Sequence, residues 1–204
     1  VHVLTTCPVA VKSVTNAAAF SGGVSEETDE ELRQRILSSY LRLPNGANAA
    51  WYEETACRHE GVAAARVIGR ARGTGTVDVY VTTPGGAPSE ELLAELQAVF
   101  QKNREIAVDV QVKAPEEVAV NVSVSLETAE NADFETVKAD TESMLAEFFG
   151  GKLLGKGVTL AELGSRLYAI PGVKNYHLTA PAADVAPNDT ILPVLGTVSV
   201  TEEA

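Results

Sequence analysis

Val118-Ala119-Val120-Asn121-Val122-Ser123-Val124-Ser125-Leu126 alternates apolar with small or polar residues without a break. Successive side chains on a strand point to opposite faces, so the run predicts one long strand with a buried face and an open one. Downstream, Asp133 is placed to cap a helix whose apolar face is Phe134, Val137, Met144, Leu145 and Phe148. Thr159-Leu160-Ala161-Glu162 is a capping box that opens a further helix through Leu163 and Leu167, and Pro171-Gly172 ends it. Strands over 173–179 and 192–200 complete this half, with a proline-rich loop between them.

Upstream the same vocabulary recurs. Thr28-Asp29-Glu30-Glu31 is a capping box, and Leu32, Ile36, Tyr40 and Leu41 follow at helical spacing. Asp29–Arg33 and Glu31–Arg35 are spaced to pair along that helix, which Pro44-Asn45-Gly46 stops. A second helix is expected over 47–59, then strands over 62–69 and 76–83 around the Gly73-Thr74-Gly75 turn. In the second of these, Val77, Val79 and Val81 alternate with Asp78, Tyr80 and Thr82, the pattern of a half-buried strand. A helix from Ser89 with Leu92, Leu93, Leu96, Val99 and Phe100 on one face leads to a strand over 106–112. Ala114-Pro115 favours an extended connection and marks a boundary.

In each half a helix ends at a Gly-Val pair, Gly61-Val62 or Gly172-Val173, that opens a strand. The reading is therefore an α+β fold of two similar small lobes, 28–114 and 115–204. Each has a mostly antiparallel or mixed sheet with helices on one face. Residues 1–27 read as an extended β-rich arm that pairs with upstream sequence or runs free, and the start at Val1 reads as that of a fragment or processed product.

The chain has 204 residues, and its 45% hydrophobic and 22% charged content is that of a globular protein rather than a disordered one. No apolar run approaches the roughly 20 residues of a membrane span. A net charge of −12 speaks against a nucleic-acid surface, which needs a basic face. The excess is uneven: residues 1–114 hold 11 basic and 14 acidic side chains, residues 115–204 hold 5 and 14. Cys7 and Cys57 make no disulfide scaffold and fit a reducing compartment.

The candidate chemical motifs are weak. Gly150-Gly151-Lys152-Leu153-Leu154-Gly155-Lys156 has GxxxxGK spacing, but Gly157 stands where a magnesium-holding hydroxyl belongs, and the run follows a helix rather than a strand. It reads as a helix stop and flexible connection with solvated lysines. Cys57 and His59 are two apart on a helix and point in different directions, with no second cluster to complete a metal site. Cys57 reads as a small buried residue on the helix's inner face, and His59 as a surface residue near its end. The carboxylates gather in first helical turns and at chain ends, where they suit the helix dipole and solvent. Arg66, Arg70 and Arg72 read as interface or salt-bridge arginines. No catalytic, cofactor or metal residues are expected.

The ordered set of these signals resembles a known family. It comprises Gly22-Gly23, Glu27, Asp29-Glu30-Glu31-Leu32-Arg33-Gln34-Arg35-Ile36, Pro44-x-Gly46-Ala47, Tyr52, Gly61-Val62 and Gly75-Thr76-Val77. Ala114-Pro115, Pro171-Gly172-Val173 and Leu192-Pro193-x-Leu195-Gly196-x-Val198 complete it. The sequence is similar to the C-terminal portion of the baseplate J-like family, wedge components of contractile phage tails and related injection machines. The resemblance implies a structural, non-enzymatic part of a virion tail baseplate, assembled in the bacterial cytoplasm, whose partners are other wedge proteins and neighbouring copies. In isolation the chain is expected to be monomeric or weakly associating. Gly22 and Gly23 would allow a bend before the first helix, and Arg33 and Arg35 would tie that helix to acidic neighbours. The alternative reading is an α+β domain that binds or transforms a small ligand between its lobes.

Overall fold

The computed structural model describes residues 27–41 and 48–203. Cys7, Gly22, Gly23, the arm up to residue 26 and the expected helix stop at Pro44-Asn45-Gly46 lie outside them. The chain divides into an N-terminal unit up to residue 42 and a second unit from residue 43 onward.

In the N-terminal unit, α1 (Asp29–Leu41) begins as its capping box predicts. The Glu31 N–H donates to Thr28 Oγ1 at 3.3 Å, and the Glu31 carboxylate accepts the Thr28 N–H at 2.9 Å. Arg33 lies 3.7 Å from Glu30, one turn back. Arg35 reaches past the helix start to Glu27, which accepts from Nε and Nη2 at 2.9 and 2.8 Å. That bidentate pair holds the Glu27 carboxyl below its ordinary range, chiefly through the hydrogen bond from Arg35.

The second unit opens with α2 (Ala49–Cys57), where the Asn48 side chain accepts the Trp51 N–H at 2.8 Å. Tyr52 and Ala56, four apart, form its buried stripe. Cys57 is exposed, against expectation. One position beyond Ala56 it is rotated about 100° off the stripe, so the smaller alanine takes the inner place. Gly61 then adopts φ +87, a left-handed turn that glycine enters without Cβ strain, and leads to β1 (Ala64–Gly69). β1 pairs antiparallel with β2 (Thr76–Thr82), and α3 (Glu90–Asn103) crosses over to β3 (Asp109–Lys113), parallel to β2. Leu96 and Phe100 of α3 fill the core with Tyr52, Val79, Val81 and Val110. β3 starts three residues later than its sequence suggests. Arg104 Nη1 gathers the carbonyls of Glu105, Ile106 and Val108 and folds that stretch into a turn.

β4 (Glu116–Thr128) is the long strand of the Val118–Leu126 alternation, with Val120, Val122, Val124 and Leu126 buried. It is the middle strand of the second sheet, antiparallel to β5 (Val173–Ala180) and parallel to β6 (Ile191–Glu202). Two capped helices cover the buried face. Asp133 accepts the Thr136 N–H at 3.0 Å ahead of α4 (Phe134–Phe148), and Thr159 the Glu162 N–H at 3.1 Å ahead of α5 (Leu160–Tyr168). Gly172, at φ +90, repeats the role of Gly61 at the entrance to β5. In β6 the register shifts opposite Asn121, whose side-chain oxygen accepts the Thr197 N–H at 2.9 Å. A Cβ on Gly196 would lie 2.3 Å from that oxygen, which explains the glycine beside the irregularity.

The result is the expected α+β architecture with two three-stranded mixed sheets. The sheets share a plan but not a wiring: the middle strand follows its antiparallel neighbour in the first and precedes it in the second. Among the described residues no helix is long and apolar enough to cross a membrane.

The first sheet departs from expectation in having both faces covered. Val77, Val79 and Val81 face α2 and α3, while Asp78 and Thr82 on the other side are 2% and 0% exposed. The glycine-rich run after α4 supplies much of that cover. It is not a flexible connection: Leu153 and Leu154 are buried, and only its lysines are solvated. Thr82 Oγ1 donates to the Gly151 carbonyl at 2.6 Å, and Tyr80 and Ala64 pack on the core that holds Leu163. A Cβ on Gly151 would stand 1.8 Å from the Thr83 carbonyl oxygen. Gly151→Val should therefore cost about 1–3 kcal/mol or more, because backbone yields less readily than side chains; urea titration of both proteins checks this.

Candidate protein interface

The expected interface arginines divide by structural role. Arg66, on β1, lies 3.9 Å from Glu53 and 3.8 Å from Asp189, so it spans the seam between the two sheets. Arg72 serves a different site. Its Nε donates to Asp78 at 2.7 Å, Nη2 donates to the Asp109 carbonyl at 3.1 Å, and Nη1 meets the Asp109 carboxylate. The Lys113 ammonium binds the other Asp78 oxygen. Burial pushes the Asp78 carboxyl up, but the hydrogen bonds from Lys113 and Arg72 outweigh it and hold the group below its ordinary range. This four-residue cluster ties β2 to β3, and its groups are all used internally.

Arg70 has no such duty. It sits in the β1–β2 turn at φ +62, the one non-glycine residue in the left-handed region among those described. It is exposed, and no described residue accepts a hydrogen bond from its guanidinium. The neighbouring turn carries Ile106, fully exposed at 101%. The two turns are joined: Asp109 N–H donates to the Gly75 carbonyl at 2.8 Å, and a Cβ on Gly75 would lie 3.1 Å from the Ala107 carbonyl oxygen. Arg104 fixes the Ile106 turn from within, with its Nε on Gln101 at 2.6 Å. Ile106 was legible only as a strand residue. The signal that could have found it is Arg104 directly after the helix, a donor able to gather loop carbonyls.

In the N-terminal unit, Leu32, Ile36, Leu37 and Tyr40 of α1 are 38%, 45%, 52% and 76% exposed. Asp29, Leu32, Arg33, Ile36 and Leu37 line a shallow depression along the helix. Arg33 and Arg35 flank this face and pair within the unit.

At the seam between the sheets, where the alternative reading puts a ligand, Thr82 bonds the Gly151 carbonyl and Tyr80 and Ala64 pack on the second core. His59 approaches Glu95 at 3.7 Å, and no group of three His, Cys, Asp or Glu among the described residues could hold a metal ion. Edge protection also appears. The Gln97 amide donates to Val110 O and accepts from Val112 N, both at 2.8 Å, and so occupies part of the β3 edge.

Residues 44–114 match the baseplate J-like central domain, and residues 120–201 match the baseplate J-like protein C-terminal domain. The chain is 26% identical over 195 residues to the phage-like element PBSX protein XkdT of Bacillus subtilis (strain 168), covering 89% of this chain and 56% of that protein. It is 24% identical over 193 residues to the uncharacterized protein YqbT of the same organism, with the same coverages. It thus spans little more than half the length of these curated relatives. Among solved structures it resembles a chain in the cryo-EM structure of the anti-feeding prophage baseplate, six-fold symmetrised. That likeness has a TM-score of 0.56 at 13% identity and covers 91% of this chain and 47% of the other, a similarity of fold.

Proposed function

Because this chain belongs to the baseplate J-like family, we propose that it is a structural component of a contractile phage tail baseplate or of a related prophage injection machine. The observation that carries the proposal is positional. The central-domain match over 44–114 falls on the sheet β1–β3, and the C-terminal match over 120–201 falls on the sheet β4–β6. The lobes 28–114 and 115–204 are its building blocks, Arg66 helps to lock their seam, and Gly22, Gly23, Arg33 and Arg35 belong to the joint with the rest of a wedge. Its role is to make protein contacts rather than to catalyse, with other wedge proteins and neighbouring copies as partners. A rigid two-sheet body suits that task, since a ring around a tube needs subunits whose faces keep fixed angles.

The acidic second lobe, with 14 acidic against 5 basic residues, is proposed to meet a basic neighbour. Deleting the gene from the element that encodes it should leave tails without a baseplate in electron micrographs, and supplying it in trans should restore them. Complete, contracting tails in the deletion strain would refute the proposal.

A further inference from the structure

We infer that the first half of β4, residues 116–121, is an open sheet edge that takes an extended strand of a neighbouring baseplate protein, one that alternates apolar and basic residues. The inference deepens the baseplate reading and rests on it. Glu116 N–H donates to the Thr190 carbonyl at 2.9 Å, and the Leu126 carbonyl accepts the Glu203 N–H at 2.9 Å. Main-chain groups alternate in direction along a strand. The even-numbered residues of β4 therefore turn theirs to β6, and the odd-numbered ones to the opposite side. On that side β5 pairs only as far as Ser123, opposite Ala180, the last residue of β5. The N–H and C=O of Glu117 and Ala119 point past the end of β5, and no described residue bonds them. Residues 116–119 are all exposed. At β3 the Gln97 amide occupies part of the edge, whereas no side chain fills that role here. A row of unpaired ladder groups is a template for strand addition.

What borders the edge sets the chemistry of its occupant. Donors and acceptors at the spacing of a strand are matched by another extended main chain, so the occupant is a polypeptide strand. On one face it lies beside Val118, which is 37% exposed on the side that buries Val120 and Val122. An apolar residue there extends the core. On the other face it meets Glu117, whose carboxylate accepts the Ala87 N–H at 2.7 Å. Residues 114–137 carry six carboxylates and no lysine or arginine. Lys113, just before them, is held in the neutral cluster with Asp78, Arg72 and Asp109. Lys152, next to the Gly151 that abuts Thr83, offsets one charge. Glu116 makes no ion pair among the described residues, so the edge stays net negative and favours a cationic strand. An edge this short spans roughly 20 Å. The isolated contact is weak and is reinforced by the other contacts of assembly.

The test titrates the full chain with a fluorescent heptapeptide alternating lysine and valine, and reads hydrogen exchange at single amides. The peptide should bind and slow exchange at Glu117 and Ala119 by roughly tenfold. A peptide N-methylated on alternate residues, or one alternating glutamate and valine, should bind roughly tenfold more weakly. Ala119→Pro removes an edge N–H that no described residue uses. It should keep the native melting midpoint and weaken the peptide by roughly tenfold. Glu116→Lys provides a second variant, which should weaken the lysine peptide and strengthen the glutamate one. In purified tail particles the same two amides should exchange more slowly than in the isolated chain. Absence of binding, binding indifferent to both variants, or unprotected amides in the particles would overturn the inference. So would protection in the isolated chain: if it grows with concentration a second copy holds the edge, and if it persists on dilution the same chain does. None of these failures touches the baseplate role itself, which the deletion phenotype reads separately.

Discussion

Replacing Arg72 and Lys113 together by methionine should lower the melting midpoint by roughly 10 °C, because it strands a buried carboxylate. Asp78 is 2% exposed and has these two cations as its partners. Removing both leaves a charge with neither water nor counter-ion, whereas adding Asp78→Leu to the double variant should restore most of the loss. The pH dependence carries a sharper signature. In the native protein the Asp78 pKa is lowered. Its contribution is therefore present above the unfolded value of about 3.9 and is lost as the pH falls through the folded one. In the double variant burial acts alone and the folded pKa rises above the unfolded value. Stability should then increase as the pH falls through that raised value. Thermal melts from about pH 3 to 7 on the three proteins measure both effects. A double variant that melts like the native protein would show that Asp78 reaches water.

Leu96→Ala and Leu163→Ala should each cost about 2–5 kcal/mol, since both side chains are fully buried. The two leucines lie in different cores, one under the first sheet and one under the second. The seam decides how the loss is expressed. Thr82 on Gly151, together with Tyr80 and Ala64 packed on the second core, couples the sheets. Either variant should therefore shift one shared urea transition with an unchanged slope. A curve that splits into two steps would show that the sheets unfold independently.

Much of the architecture was legible because its signals are local. The period-two run in β4 fixes which side chains are buried, and Thr28, Ser89, Asp133 and Thr159 each accept a first-turn N–H as their types and positions predict. Gly61 and Gly172 are legible for the same reason, as left-handed helix exits. What depended on distant chain was not. Alternation in β2 places Asp78, Tyr80 and Thr82 on one face but cannot say that a connector some 70 residues later covers it. Gly151 looks like half of a phosphate loop until the Thr83 carbonyl is found beside it. Cys57 and Ala56 differ by one helical step, and apolar character alone does not choose between them. The interface was the least legible part. Arg66, Arg70 and Arg72 form one sequence group, yet the fold assigns one to the seam, one to a buried carboxylate and one to solvent.

The baseplate role is tested most directly by cryo-electron microscopy of purified tail particles from the element that encodes the chain. Density for the two mixed sheets and their glycine-lined seam should recur in symmetric copies at the end of the tail tube. Particles that carry an ordered baseplate without this chain, or that carry it elsewhere along the tail, would contradict the role.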